Sequence, residues 1–330
     1  MRGQVHPERA LLQRLAAGEV SGSALAAESG QTRAAVWKRV AALREAGVAI
    51  DAVPGAGYRL AQPLDLLEAD AILRAMPAAA RDHVVQLDVA WSLPSTNSAL
   101  LEADTPMGGC AVLLAERQTG GRGRRGRVWS SPLAAHVYLS LARRFEGGLA
   151  RLSGLSLVAG VACCEALHAL GFAQVGLKWP NDLVVADGAG LRKLGGVLVE
   201  GAGETAGAAR AVVGIGLNVR MPAASAAGID QPWIDLVALD QDVPSRNRIV
   251  ARLLEHLLPA LEAFDADGLA PFLPRHAAHD VLAGRVVRVH DAHATWEATA
   301  LGVADDGALR VRAGDGSERR VHAGDVSVRA

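Results

Sequence analysis

The chain has 330 residues, half of them hydrophobic, which is enough to bury a large core and to form two or three domains. Its 34 basic and 35 acidic side chains nearly cancel, which excludes a uniformly basic nucleic-acid-binding protein. The first residues contain no apolar signal core, and the most apolar stretch, 155–172, is interrupted by Glu165 and His168. We therefore expect neither secretion nor a membrane span.

The cysteines are few and poorly placed for a structural role. Cys163 and Cys164 are adjacent in a predicted buried helix, and Cys110 stands alone. This spacing indicates neither a disulfide framework nor a metal site. We expect a cytoplasmic protein.

The first 62 residues predict a winged helix-turn-helix DNA-binding domain. Ser21 and Thr32 are each placed to cap a helix, and residues 48–53 and 58–60 flank a Pro-Gly-Ala-Gly turn that predicts the wing. The expected DNA contacts lie at the two caps and on the cationic face of the third helix: Ser21, Thr32, Arg33, Ala34, Trp37 and Lys38. The alternative is a helical interaction module that touches no DNA, with Trp37 packed against another domain.

Residues 66–276 predict a second domain of strands and long helices. Strands are expected at 84–89, 111–116, 136–141, 176–179, 183–186, 195–200 and 211–218, and helices at 97–102, 152–170 and 246–265. Since the strands come both singly and in meanders, we predict a mixed, largely antiparallel sheet backed by helices. The chain as a whole is then an α+β multidomain protein.

The remaining residues, 280–330, predict a small β domain. Short strands at 286–289, 295–301, 309–311 and 319–322 surround two Gly-Asp-rich turns. An SH3-like barrel is the expected architecture.

The loop at 121–127 reads Gly-Arg-Gly-Arg-Arg-Gly-Arg after the apolar run 111–115. Glycine lets the backbone approach a phosphate, and the guanidinium fork grips phosphate or carboxylate oxygens in pairs, so the loop indicates an anionic ligand. Gly121, Gly123 and Gly126 match the dinucleotide fingerprint in spelling, but a Val-Trp-Ser-Ser-Pro run follows instead of a helix. The alternative is an ordinary solvated or RNA-touching loop.

Further polar groups of the second domain are predicted to lie at strand ends or on the loops that follow, where a rigid scaffold holds binding groups. They belong to Ser95-Thr96-Asn97, Gln118, Lys178-Trp179-Pro180-Asn181-Asp182, Arg192-Lys193-Leu194-Gly195-Gly196 and Gly214-Ile215-Gly216-Leu217-Asn218. A helix cap is an alternative for the first of these, and a structural Lys178–Asp182 ion pair for the third.

The chain resembles the bifunctional biotin-protein ligases that double as biotin operon repressors. The resemblance rests on the order of the arginine loop and the polar segments above, together with Ala34-Ala35 and Val53-Pro54-Gly55 upstream. The match spans nearly the whole chain. The resemblance implies a biotin/lipoate-ligase fold for the central domain and an ATP-dependent, AMP-forming enzyme. That enzyme makes biotinyl-5′-AMP and passes biotin to a lysine of a carboxyl carrier protein.

The resemblance also implies residue roles. Lys193, Arg124, Asp182 and Lys178 would be catalytic, and Asp182 would help hold Mg²⁺, which prefers oxygen ligands. Biotin would contact Ser95, Thr96, Asn97, Gln118, Arg122, Gly123, Arg124, Trp129 and Lys193, although Trp129 could be a plain core residue. The nucleotide would contact Gly121, Arg122, Arg124, Arg125, Asn181, Asn218 and Trp233.

The implied partners are biotin, ATP, a biotin carboxyl carrier protein, operator DNA and a second copy of the chain when the adenylate is bound. One alternative keeps the ligase but makes the N-terminal module inert toward DNA. Another is a biotin-sensing transcription factor without catalysis. Lipoate ligase ranks below biotin, because it has no evident need for this arginine loop together with Trp129 and Gln118.

Overall fold

A computed structural model describes residues 6–188, 190–203, 209–290, 294–322 and 327–329, the last three as backbone. Residues 1–5, on which the expectation of no signal core partly rests, lie outside this set, as does part of the predicted 280–330 domain.

The N-terminal region has the predicted helices and hairpin: α1 (Pro7–Ala16), α2 (Gly22–Ser29), α3 (Arg33–Glu45), β1 (Ile50–Val53) and β2 (Gly57–Leu60). The Ser21 hydroxyl accepts from Ala24 N and the Thr32 hydroxyl from Ala35 N, so both predicted caps are confirmed. Between them Gly30 adopts φ 65°, the left-handed turn that ends α2.

The core of this region includes residues from outside it. Val40 and Leu43 of α3 are buried as expected, and Leu133 and Ala134 join the same apolar cluster. Leu133 N donates to Ala46 O at 2.9 Å. The helical module is therefore docked on the segment that follows the arginine loop.

The central region begins with two short helices and then alternates strands with helices. In chain order its elements are α4 (Ala69–Ala75), α5 (Ala78–Arg81), β3 (Val84–Ala90), α6 (Thr96–Glu102), β4 (Cys110–Ala115), β5 (Val137–Phe145), α7 (Leu155–Ala169), β6 (Val175–Lys178), β7 (Asp182–Asp187), β8 (Gly190–Gly203), β9 (Ala209–Leu217), α8 (Ala223–Ala226), α9 (Leu236–Leu239), α10 (Arg246–Asp267) and α11 (Leu273–His279). Short 3₁₀ turns lie at Arg124–Gly126, Leu149–Leu152 and Ala270–Phe272.

The strands form one seven-stranded sheet in the order β3-β4-β5-β9-β8-β7-β6. Only β3 and β4 run parallel, and every other pair is antiparallel, which confirms the predicted mixed sheet. Along β9, Val213 and Ile215 belong to the main core with α7 and α10, whereas Val212 packs in a separate cluster with Leu100 of α6. Since side chains alternate along a strand, Gly214 and Gly216 face the α6 side.

The residues Leu149–Ala169 have the length and composition of a membrane-spanning helix, but 61% of the apolar window is buried inside the protein. The buried positions of α7 surround the whole helix, from Leu155 to Leu167. This is the pattern of a core helix of a large domain.

Of the predicted strands, β8 differs most from its expected extent. β8 runs from Gly190 to Gly203, not from 195 to 200, so Arg192 and Lys193 lie within a strand and not on a loop before it. Lys193 pairs with Val184 of β7 next to a register shift at Leu183/Val184. Backbone hydrogen bonds to β7 hold these residues in a strand although their own sequence is polar.

The C-terminal strands are β10 (Val286–His290), β11 (Thr295–Val303), β12 (Leu309–Ala313), β13 (Glu318–Val321) and β14 (Ser327–Arg329). They form an antiparallel sheet in the order β13-β12-β11-β10-β14, which is open within the described residues. Val287 and Val289 join the main core, and Trp179 Nε1 donates to Gly307 O at 3.0 Å. This sheet is therefore packed against the central region.

Candidate active site

The arginine loop is closed on itself by backbone hydrogen bonds. Gly123 N donates to Arg127 O at 2.7 Å, and Trp129 N donates to Gly121 O at 2.9 Å. At its tip Arg125 has φ 57° and Gly126 φ 70°, so two consecutive residues adopt the left-handed region. No helix follows, which agrees with the rejection of a dinucleotide fingerprint. The N–H of Gly123 is already occupied in this conformation.

Two arginines of the loop reach the sheet. Arg122 Nη2 donates to Ser98 Oγ at 2.9 Å and lies 3.4 Å from Glu200 Oε1. Arg124 Nη1 donates to Asn181 Oδ1 at 3.4 Å. Burial, followed by repulsion from neighbouring Arg125, lowers the pKa of the Arg124 guanidinium. The loop thus holds two guanidinium groups over the sheet. Glu200, 78 residues away in sequence, partly neutralises that of Arg122.

Ser95, Thr96 and Asn97 lie at the N-terminus of α6, and all three are buried. Ser95 Oγ accepts from Ser98 N at 3.4 Å, so the helix-cap interpretation holds. Gln118 Oε1 accepts from Thr96 N at 2.9 Å and from Thr96 Oγ1 at 3.1 Å. The predicted residues Thr96 and Gln118 are therefore direct partners.

A second layer of polar groups supports this network. Ser140 Oγ, fully buried on β5, lies 2.7 Å from Thr96 Oγ1 and donates to Asn97 Oδ1 at 2.6 Å. Asn97 Nδ2 donates to Glu200 Oε2 at 2.8 Å. Sequence reasoning missed Ser140 and Glu200. The available signal was a serine at an inward position of an otherwise apolar strand.

Two glycines of β9 make room beneath these side chains. A Cβ on Gly214 would lie 2.2 Å from Asn97 Oδ1, and one on Gly216 would lie 2.6 Å from the Trp129 indole. The side chains of Asn97 and Trp129 therefore rest directly on backbone. Trp129 Nε1 is buried and has no hydrogen-bond partner within the described residues. A buried donor of this kind is suited to a ligand or a water molecule.

Lys193 stands at the centre of the predicted catalytic group. Its Nζ lies 2.7 Å from Asp182 Oδ1 and 5.4 Å from the centroid of the Trp129 ring. Both charged side chains are about one-fifth exposed. Lys178 is opposite Asp182 in the β6–β7 register, and Asp182 forms an ion pair with Lys193.

The segment at 232–234 runs alongside Lys193. Lys193 N donates to Pro232 O at 3.0 Å, and Lys193 forms a parallel bridge with Trp233. Asn218 Nδ2 donates to Ile234 O at 3.1 Å and to Lys193 O at 3.4 Å. Asn218 therefore ties the Trp233 segment to the strand that carries Lys193.

The helix α3 presents the predicted DNA-contacting face to solvent. Arg33, Ala34 and Lys38 are exposed, and Trp37 is 60% exposed. Trp37 is mostly exposed within one copy of the chain, and its alternative role as an interdomain contact stays a prediction.

Comparison with known proteins identifies the family. Residues 91–218 match the Biotin/lipoate A/B protein ligase family, 8–59 an HTH domain, and 283–329 the Biotin protein ligase C terminal domain. The "Bifunctional ligase/repressor BirA" of Salmonella typhimurium is 38% identical over 97% of both chains, and that of Escherichia coli is 38% identical over 97% of this chain and 96% of its own. The chain belongs to the biotin/lipoate A/B protein ligase family.

A solved structure agrees with this assignment at the level of the fold. The biotin protein ligase from Aquifex aeolicus in complex with biotin and ATP covers 74% of this chain and 99% of its own, with a TM-score of 0.61 and 24% identity. The resemblance to the bifunctional ligase/repressor family is confirmed.

In this family member several of the predicted polar groups contact one another although their motifs are spread over 139 residues, from Ser95 to Trp233. Arg124 meets Asn181, Lys193 meets Asp182 and Trp129, and Thr96 meets Gln118. The three cysteines are buried free thiols apart from these contacts, and burial raises the pKa of Cys110 to about 12. A buried, protonated Cys110 is unsuited to act as a nucleophile.

Proposed function

We propose that this chain is a biotin-protein ligase, which joins biotin to ATP, releases pyrophosphate and passes the biotinyl group to a lysine of a biotin carboxyl carrier protein. The observation that carries the proposal is the position of the Lys193 ammonium, between the Trp129 ring and the Asp182 carboxylate. An apolar wall, a neutral polar network and a cation meet on one face of the sheet. Biotin offers the matching chemistry: an apolar body, a ureido head and a carboxylate.

The head of biotin would be read by the α6 network. Thr96, Gln118 and buried Ser95 and Asn97 supply neutral donors and acceptors, which suit a ureido group that carries no charge. Trp129 would pack against the apolar rings of biotin. Its indole already rests on Gly216, so it cannot move closer to the sheet. We assign biotin binding to these five residues, with Arg122, Gly123, Arg124 and Lys193 around the tail.

Lys193 would act on the reacting carboxylate and α-phosphate. A fixed ammonium favours the negative charge that builds on the phosphoryl oxygens in the transition state. Arg124 and Arg125 would hold the polyphosphate, together with Arg122 and the loop backbone at Gly121. Because Gly123 N is bonded to Arg127 O and Arg122 contacts Glu200, we infer that the loop rearranges before it grips the nucleotide.

Nucleotide binding would also involve Asn181, Asn218 and Trp233. Asn218 holds the 233 segment beside Lys193, which supports a role in placing an adenine ring next to the reacting groups. Asp182 and the amide oxygen of Asn181 are hard oxygen donors, which fit Mg²⁺. These two residues would hold Mg²⁺, which would neutralise charge on the phosphates, while Lys193 and Lys178 would contribute further positive charge beside Asp182.

Mass spectrometry of the carrier tests the enzyme proposal. The full chain is incubated with biotin, MgATP and a biotin carboxyl carrier domain, and a parallel reaction contains lipoate in place of biotin. Lys193→Ala is expected to lower the rate of transfer roughly 100- to 1000-fold, as for loss of one oxyanion donor. Arg310→Ala, which removes an exposed cation paired with Glu318, is the matched control.

Two results would contradict the biotin-ligase proposal, and a third would contradict only the role of Lys193. Tight biotin binding without transfer favours the sensor that lacks catalysis. Transfer of lipoate but not biotin favours the lipoate ligase. Transfer that is equally fast in Lys193→Ala removes Lys193 from the mechanism but leaves the ligase.

We propose a second function as a repressor that binds operator DNA through α3. The exposed face of Arg33, Ala34, Trp37 and Lys38, with the caps Ser21 and Thr32 at the helix starts, supports a helix that enters a DNA groove. Fluorescence anisotropy of operator DNA against salt concentration tests it. Lys38→Ala is expected to reduce the slope of log affinity against log salt by about 0.9. Binding that is insensitive to Arg33 and Lys38 would favour the ligase with an inert N-terminal module.

Further parts of the proposal concern assembly and location. A homodimer formed with the adenylate would match a two-fold operator, and sedimentation with and without biotin and ATP tests it. Three free thiols fit a reducing cytoplasm.

We propose that the chain divides into three domains, at residues 1–62, 66–276 and 280–330. We also keep an SH3-like barrel for the last domain, since a bulge between Ala300 and Gly302 in β11 favours the curvature that closure needs.

A further inference from the structure

Three metal-ligating side chains meet on the face of the sheet opposite the candidate active site. Cys164 and His168 are four residues apart on α7, so they share one side of that helix. His279 is the last residue of α11 and packs its ring edge-on against His168, with centroids 4.8 Å apart. The three ligand atoms lie within 4.8 Å of one another. Cysteine spacing alone had indicated no metal site, because it takes no account of the histidines.

The distances suit a tetrahedral ion. With Zn–S of about 2.3 Å and Zn–N of about 2.05 Å, a tetrahedral site separates sulfur from nitrogen by about 3.6 Å and two nitrogens by about 3.3 Å. Cys164 Sγ lies 3.6 Å from His168 Nε2. Bringing the most distant pair to tetrahedral spacing requires a shift of about 1.5 Å at most, which half-buried His279 can supply at its helix end.

The carbonyl oxygen of Val175 completes the arrangement. It accepts from Cys164 Sγ at 3.3 Å and lies 2.7 Å from His168 Nε2, which must donate to it. Two donors thus direct their protons toward a single acceptor. A cation at this point would take the place of both protons, with the carbonyl oxygen or a water as its fourth ligand. The thiol proton would be released, and the neutral His168 imidazole would carry its proton on Nδ1 instead of Nε2. Glu165, the next residue, is engaged elsewhere, since Arg275 holds its carboxylate at 2.5 and 2.9 Å.

We propose that Cys164, His168 and His279 form a binding site for a soft divalent ion, Zn²⁺ above all. One thiolate and two imidazoles are ligands that select Zn²⁺ over Mg²⁺ or Ca²⁺. Binding converts the Cys164 thiol to a Zn-bound thiolate, and the thiol proton passes to solvent. The ion would pin α11, which leads into the C-terminal sheet, to the core helix α7. The site is separate from the Mg²⁺ that accompanies ATP.

Cobalt titration of the tag-free full chain tests the site, because Co²⁺ adopts the same coordination and its thiolate complexes absorb in the near ultraviolet. After removal of bound metal with a chelator, we expect one equivalent of Co²⁺ to produce the thiolate band and tetrahedral visible bands, and Zn²⁺ to displace it. Cys164→Ala should lose the thiolate band. His279→Gln should weaken binding at least tenfold, since even outer-shell changes cost about 10- to 100-fold.

The matched control is Cys163→Ala, which removes a free and fully buried thiol one residue away on the same helix. It should bind Co²⁺ as the parent does. The proposal is overturned by no Co²⁺ binding, by a thiolate band that persists in Cys164→Ala, or by unchanged affinity in His279→Gln. The last variant alters a half-buried helix end, so it remains decisive where Cys164→Ala fails to fold.

Discussion

The substitution Gly216→Ala is expected to disrupt the proposed biotin site through Trp129. Gly216 lies on β9 between Tyr138 of β5 and Gly196 of β8. A methyl group there would lie 2.6, 2.8 and 2.9 Å from three atoms of the Trp129 indole. Since carbon atoms pack at about 3.5–4.0 Å, the indole must move away from the sheet by about 1 Å.

The magnitude follows from the cost of overpacking. An extra methylene in a well-packed place costs typically about 1–3 kcal/mol. If the indole forms the wall of the biotin site, this corresponds to a loss of roughly 5- to 150-fold in biotin affinity. The backbone of Gly216 is not in the left-handed region, so alanine adds the clash without backbone strain.

Calorimetric titration with biotin measures the effect, and a double-mutant cycle isolates its cause. In a Trp129→Ala background the clash has no partner, so Gly216→Ala should change biotin affinity less than about twofold, within the usual additivity error. Gly314→Ala is the matched control, since a Cβ there meets nothing within 4 Å. An equal loss of affinity in both backgrounds would refute the reasoning, as would unchanged affinity in Gly216→Ala alone.

Three other predictions concern the scaffold. Glu116→Gln should lower the free energy of unfolding in urea by about 3–5 kcal/mol. It removes the nearer of the two carboxylates that pair with buried Arg246, Glu116 at 2.9 Å, and leaves only the partly exposed Asp65 at 3.7 Å. A change below about 1 kcal/mol would contradict this. Burial lowers the pKa of His136 to about 3 in the folded chain, from 6.5, so the unfolded chain binds more protons between these values. Stability should therefore fall as the pH drops from 6.5 toward 3, by up to about 1.4 kcal/mol per pH unit, and His136→Gln should flatten that dependence. Trp37→Ala should change the free energy of unfolding by less than about 0.5 kcal/mol, since the side chain is 60% exposed, while weakening operator binding.

Local signals in the sequence were sufficient for much of the architecture. Ser21 and Thr32 predict helix starts, because each side-chain oxygen accepts a hydrogen bond from a backbone N–H only three residues later. The approximate positions of the strands along the chain followed from periodicity and turns. The proposal that Ser95, Gln118 and Lys193 belong to one site came from their motifs, not from any contact that spacing could reveal.

Tertiary structure alone decided which of these groups touch. Asn97 and Glu200 are 103 residues apart, and Lys193 reaches Asp182 only because β8 extends back along β7 as a strand. Trp129 can pack on the sheet because Gly216 lies on that face of β9. The face on which a strand residue lies is fixed by the register of the strand with its neighbours on both sides. Local interactions such as helix caps can be predicted from consecutive residues. Strand register, the face on which each side chain lies and contacts between distant residues are fixed only when the sheet is assembled.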